Sequence, residues 1–312
     1  MENIVFSANV ILPLLCLILV GYIVRRLGLI DQKTTTGGNT LVFHVFLPVL
    51  LFNNVRNCSI EDIMNIPYFF YIFICTVTLF IVVSGVIVCI EKDNAKRGVM
   101  IQGICRSNYA LFGIPLISLL YPNENIALAS VLLAILIPIF NIASVIILTI
   151  ANAQRVEFRK ILIAILKNPL IIGTVLGIIF MVYQLELPYF IDVTCTNLGS
   201  IATPFALFIL GAGFEFQKVQ EVKKQLGIVV IGRLILVPLM MVSLAYIVGY
   251  RGLELTCIMV AYSAPTAVSS YPMAERMGGS KELASAIVVF TSIISIFSIF
   301  VIIYILKAAG LL

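Results

Sequence analysis

Charge is scarce in this chain: Asp, Glu, Lys and Arg make up 11% of its 312 residues, against 61% hydrophobic residues. With a mean hydropathy of +1.13, a water-soluble domain of this length is excluded. Histidine is nearly absent. The single His44 rules out an H-E-x-x-H zinc site. No Gly-Lys pair occurs, which removes a P-loop and ATP hydrolysis by that route. The seven cysteines (16, 58, 75, 89, 105, 195 and 257) stand singly, with no C-x-x-C and no metal-ligand spacing. No basic run is long enough for nucleic acid, and the net charge of +5 reflects loop placement. Nothing suggests nucleophilic catalysis. The chain reads as a membrane protein, not an enzyme, with no cofactor.

What fills the sequence is apolar blocks of about 17 to 25 residues, the length at which a helix crosses a hydrocarbon core of roughly 30 Å. Barrel strands and open sheets are poor rivals in lipid, where every backbone group needs a partner. Ten spans are predicted, near 4–24, 39–56, 66–90, 99–121, 125–150, 161–184, 197–215, 225–249, 255–277 and 283–306. The first lacks the basic n-region of a secretory signal and reads as a retained span. Loops after the odd-numbered spans carry 15 Lys and Arg, against 3 on the other side. By the positive-inside rule those loops are cytoplasmic and both termini lie outside, as in a multi-pass cell-membrane protein. Cys58 and Cys195 then fall on one side, where a disulfide is conceivable.

The polar stretch 151–160 reads as a cytoplasmic linker between two halves, 1–150 and 161–312. With five spans each, the halves can be repeats only if they are inverted relative to one another. Weak internal similarity fits. "NYALFGIP" in span 4 places Asn108 seven residues before Pro115, and "PTAVSSYP" in span 9 places Pro265 seven residues before Pro272. "LAS" heads both span 5 and span 10, and spans 2 and 7 each hold a proline, Pro48 and Pro204. Pro115 and Pro272 suit the first turn of a new half-helix, so spans 4 and 9 are predicted to be broken. Gly113, Ser269 and Ser270 supply flexible or capping residues for the links. Half-helix N-termini meeting inside a membrane aim free N–H groups at an anion such as a carboxylate, and the first half-helices' carbonyls can hold a cation. Simple proline kinks are the plainer alternative.

The ten-span layout, the "RSNYALFGIP" of span 4 and the proline-bearing span 9 resemble the auxin efflux carrier family, which includes plant auxin exporters and bacterial malonate and malate permease-like proteins. The likeness covers essentially the whole chain, its specific part being the two crossovers. It implies an all-α fold of two inverted five-helix repeats. Spans 1, 2, 6 and 7 would form a scaffold, through which homodimers can form, and spans 3–5 and 8–10 a moving domain whose broken helices 4 and 9 cross at the substrate site. Carried onto this chain, the crossover residues are Asn108 with Pro115, and Pro265 with Pro272. Plant carriers have a longer Asn-Pro-Asn-Thr-Tyr type signature where this chain has Ser-Asn-Tyr.

Asn108 is the first candidate ligand, since its amide can donate to a carboxylate or cap a helix end. Tyr109, Thr266, Ser269 and Ser270 follow, with ordinary interhelical hydrogen bonding as the alternative. Arg106 either pairs with an anionic substrate or snorkels or satisfies a carbonyl at the break. Arg233 in span 8 reads first as structural, paired with Glu215 or a lipid headgroup, with substrate contact as the alternative. His44 can serve a proton-linked step or simply pack between helices. Glu215 and Glu275 read as solvated cytoplasmic residues. The expected activity is secondary transport of a small organic anion in a lipid membrane, with uniport or coupling to Na+ or H+ left open. An anion channel or a sensor on a transporter fold are the rivals.

Overall fold

The computed structural model describes residues 2–58, 66–121, 127–152 and 158–311. Among them, regular structure is helical throughout, apart from one isolated antiparallel bridge between Ser107 and Thr266. The helices are α1 (Glu2–Arg26), α2 (Gln32–Arg56), α3 (Ile66–Ile90), α4 (Asn94–Cys105), α5 (Tyr109–Leu120), α6 (Ala127–Asn152) and α7 (Phe158–Leu166). They continue as α8 (Pro169–Val182), α9 (Tyr189–Ala212), α10 (Gln217–Val248), α11 (Gly252–Ser263), α12 (Ser270–Arg276) and α13 (Lys281–Ala308). Among the described residues, six helices, α2, α3, α6, α9, α10 and α13, are long and apolar enough to cross a membrane. Large apolar side chains such as Phe70, Ile81, Leu239, Ile247 and Phe297 stand on the outside, as a lipid solvent requires.

Polar residues start the helices where the chain re-enters. Asp31 accepts the Thr34 N–H at 2.7 Å, Asp93 that of Ala95 at 3.0 Å, Asn168 that of Leu170 at 2.9 Å and Ser280 that of Leu283 at 3.3 Å. Each removes an unpaired donor at a helix N-terminus. The Asn168 cap, with Pro169 next, cuts the predicted sixth span into α7 and α8, a break absent from the sequence-based reading. Helices α2, α9 and α10 start earlier than their apolar runs, because polar first turns such as "QKTTTGG" extend a helix beyond the hydrocarbon. Residues 153–157 of the predicted linker, with Arg155, lie outside the described residues.

Two π turns lie within the long helices, Val42–Phe46 in α2 and Gly232–Leu236 in α10, each just ahead of a proline, Pro48 or Pro238. A proline lacks the N–H for an i→i−4 bond and collides with that carbonyl, and a widened turn relieves both problems. In α10 this turn carries Arg233.

Packing is densest within two groups of helices, which α1 on α13 and α6 on α8 join. Helix α2 lies along α8 and α9, and α1 lies along α9. Glycines bring these backbones together: a Cβ on Gly21 would sit 2.0 Å from the Phe208 carbonyl oxygen, one on Gly211 1.9 Å from that of Ile18, and one on Gly173 2.4 Å from that of Pro48. Such crossings let dispersion and close packing hold helices together where lipid removes the hydrophobic drive. In the second group, α4 packs on α3 and α6, α5 on α11, α10 on α11 and α13, and α12 on α13. Cys58 and Cys195, conceived as a pair, are both free thiols; the Cys58 thiol donates to the carbonyls of Ser130 (3.1 Å) and Asn54 (3.2 Å).

Candidate functional site

The fourth and ninth predicted spans are both broken, and the breaks meet. Helix α4 ends at Cys105, Arg106 is extended (φ −85°, ψ 116°), and α5 starts after Asn108; α11 ends at Ser263, Ala264 is extended (φ −60°, ψ 149°), and α12 starts after Ser269. The two extended segments run antiparallel. The Asn108 N–H donates to the Pro265 carbonyl at 2.8 Å and the Ala267 N–H to the Arg106 carbonyl at 3.3 Å, framing the Ser107–Thr266 bridge. Thr266 donates its hydroxyl to the Gly103 carbonyl (2.7 Å) and its N–H to Thr291 of α13 (3.2 Å), while Gln102 donates to the Ser270 carbonyl (3.0 Å). Backbone groups released by breaking two helices are thus largely satisfied by pairing the breaks with each other.

One of the two breaks falls where its proline predicts. Pro272 occupies the first turn of α12, as expected, but Pro115 and Gly113 lie well inside α5, whose start is set by the strand-like pairing at Asn108.

Against this crossover lies a cavity of about 70 Å³, walled by Arg106, Ser107, Asn108, Tyr109 and Ser269 and by residues of α2, α6 and α9, including Asn54, Asn141 and Thr203. Arg106 is buried rather than snorkelled. Its guanidinium donates to Asn141 Oδ1 (2.7 Å), Ser269 Oγ (2.8 Å) and the Met273 sulfur (2.9 Å), so among the described residues its partners are all neutral. Burying a cation without a counter-ion is costly. Beside it, the Asn108 side-chain Nδ2 and the Ser107 hydroxyl are buried without a hydrogen-bond partner among the described residues. N-terminal ends of α5 and α12 add partial positive charge on the same side. Donors and positive charge converge here, an arrangement complementary to an anion.

Of the remaining candidates, Tyr109 lines the cavity but gives its hydroxyl to the Ala129 carbonyl at 3.2 Å. Pro265, Thr266, Ser270 and Pro272 do not line it, and the side chain of Pro115 lies outside the described residues. His44 is exposed on α2, its Nδ1 3.0 Å from the Thr40 carbonyl, in a separate groove against α8. Arg233 pairs neither with Glu215, whose partner is Lys218 at 3.1 Å, nor with the surface: it is fully buried under the crossover. Glu275 is partly buried and accepts a hydrogen bond from Asn39 of α2, so solvation alone does not describe it.

A family model described as Membrane transport protein matches residues 6–303. The chain belongs to that family. The resemblance to the auxin efflux carriers, drawn from the two broken spans, is thereby borne out over nearly the whole chain. Among curated proteins, the chain is 22% identical over 316 residues to a "Putative malonate transporter" of Rhizobium meliloti, covering 97% of each chain. It is 23% identical over 306 residues to an "Uncharacterized transporter" of Methanothermobacter thermautotrophicus, covering 94% of this chain and 96% of that one. This member of the membrane transport family is therefore a multi-pass membrane protein, helical throughout its described residues apart from the one bridge.

Sequence reasoning overlooked Asn141 and Thr174. Asn141 on α6 is 1% exposed; it accepts from Arg106 and donates to Thr174 of α8 at 3.3 Å, which in turn donates to the Leu170 carbonyl at 2.7 Å. A lone asparagine in "PIFNIAS" is a signal in itself, because an amide in hydrocarbon needs partners. It has no counterpart in the other half to draw attention to it.

Proposed function

We propose that this protein is a secondary transporter that carries a small organic anion across the cell membrane by alternating access. The observation that carries the reading is the buried Arg106 guanidinium, held by neutral partners at a cavity where Asn108 and Ser107 present unpartnered polar groups. A carboxylate there would receive charge-assisted hydrogen bonds in a desolvated setting. The cavity, at about 70 Å³, is far below the roughly 300 Å³ at which drug-sized ligands begin, which favours a short aliphatic carboxylate over a bicyclic aromatic one. The Rhizobium relative's name makes malonate the first compound to test.

In this reading the chain has ten spans in two inverted repeats, with α4/α5 and α11/α12 as the broken fourth and ninth. Supporting the inversion, α2 with α8 and α1 with α9 are the pairs that such a symmetry interchanges, and both are closely packed through glycines. Pro13 precedes Gly21 by eight residues in α1, as Pro169 precedes Gly177 in α8. The α1, α2, α8, α9 group is the scaffold and the dimer surface, and the crossover group moves against it. The Asn141–Thr174 bond crosses between the groups and must break in that motion. Both termini face outward.

A thermal-shift screen of mono- and dicarboxylates tests the reading. Short dicarboxylates are expected to raise the unfolding temperature of the native protein and not that of Arg106→Gln. Equal shifts in both would remove the cavity from the mechanism.

A further inference from the structure

Two helix C-termini converge on the other side of the crossover, and their last carbonyls have no helical N–H to receive. Each such end carries roughly half a negative charge. Carbonyls of this kind, at broken helices inside a membrane, are the usual coordination sphere for Na+ in secondary transporters. Here they are already taken. Arg233 Nε donates to the Ala264 carbonyl at 2.8 Å and Nη2 to that of Ala261 at 3.3 Å, both at the end of α11; Nη1 donates to Ile104 at 3.2 Å and Cys105 at 3.4 Å, both at the end of α4. One guanidinium therefore serves four carbonyls, two from each broken span. Its unit charge matches the two half-charges it faces. The side chain is 0% exposed and arrives from the π turn of α10, which has no other evident ligand to present. Arg233 is not among the residues lining the Arg106 cavity.

We infer that Arg233 is a tethered cation occupying the crossover's carbonyl cage, so that this fold has no place for an alkali metal ion there and carboxylate binding on the opposite face is independent of Na+. The second half of this statement rests on the carboxylate reading above; the first half does not.

The test is thermal unfolding of the purified full-length protein, followed with a thiol-reactive dye that reports exposure of the buried Cys105 and Cys257. The native protein is expected to unfold at the same temperature, within about 1 °C, in NaCl and in choline chloride of equal ionic strength. Arg233→Ala is expected to unfold more than about 5 °C lower, with partial recovery in millimolar guanidinium, and Arg233→Lys to fall between. Saturable stabilisation of the native protein by Na+ over choline would overturn the inference, as would an unchanged midpoint in Arg233→Ala. If Arg233→Ala does not fold, the native Na+ titration and Arg233→Lys decide the matter alone. Malonate uptake into proteoliposomes is expected to be equal in sodium and choline media, and uptake that requires Na+ contradicts the inference. Absence of uptake in both media counts against the transport reading, while the unfolding comparison still judges the cage.

Discussion

Replacing Arg106 by Gln removes the one buried positive charge at the cavity while keeping a side chain that can still reach Asn141 and Ser269. In the native protein, Nη2 is committed to those two oxygens and Nη1 to a thioether, a weak acceptor, while Nε has no partner among the described residues. A bound carboxylate would therefore gain two charge-assisted bonds, from Nη1 and Nε, each of about 1.5–3 kcal/mol. Glutamine restores one neutral bond of about 1 kcal/mol, which leaves a net loss of about 2–5 kcal/mol, in line with truncation of desolvated charge pairs. At about 1.4 kcal/mol per decade this is a loss of affinity of about 30- to 4,000-fold. Concentration-dependent uptake of labelled malonate into proteoliposomes reads it as a rise in KM, with thermal unfolding as the check on folding. A folded Arg106→Gln protein with KM within about threefold of native would refute the reasoning.

Asn108→Asp places a like charge where the anion is to bind and is expected to abolish uptake; Asn108→Ala is expected to do the same through loss of the donor, with both proteins remaining folded by thermal unfolding. Gly211→Val drives a side chain into the Ile18 carbonyl, so α1 and α9 must separate, and a fall in unfolding temperature of several degrees is expected from overpacking of about 1–3 kcal/mol. Alkylation followed by mass spectrometry is expected to label Cys58 and Cys195 as free thiols in denatured, unreduced protein, and a linked peptide pair would contradict the structure.

The broken spans were legible because asparagine, glycine and proline inside an apolar run have few other uses, and because two such runs occupy matching places in the chain. Where each helix restarts was not legible. Pro115 is the strongest local signal in span 4, yet α5 begins six residues earlier, since antiparallel pairing of Asn108 with Pro265 satisfies more backbone than a proline-led turn would. That pairing joins residues more than 150 positions apart, beyond the reach of any local pattern. Arg233 shows the same limit. Hydropathy marks it as a misplaced charge, and the acidic residue or headgroup it was expected to meet is replaced by four carbonyls from two distant helices. Asn141 gives a weaker signal, a single amide in an apolar run whose partners Arg106 and Thr174 lie on other helices.

Counterflow is the most direct measurement of carriage at the crossover. Proteoliposomes loaded with unlabelled malonate, then diluted into trace labelled malonate, are expected to accumulate label transiently above equilibrium, with a rate that saturates in substrate and vanishes in Arg106→Gln. Label entry that rises linearly with concentration, shows no overshoot and survives that substitution would mean that the anion does not ride on this site.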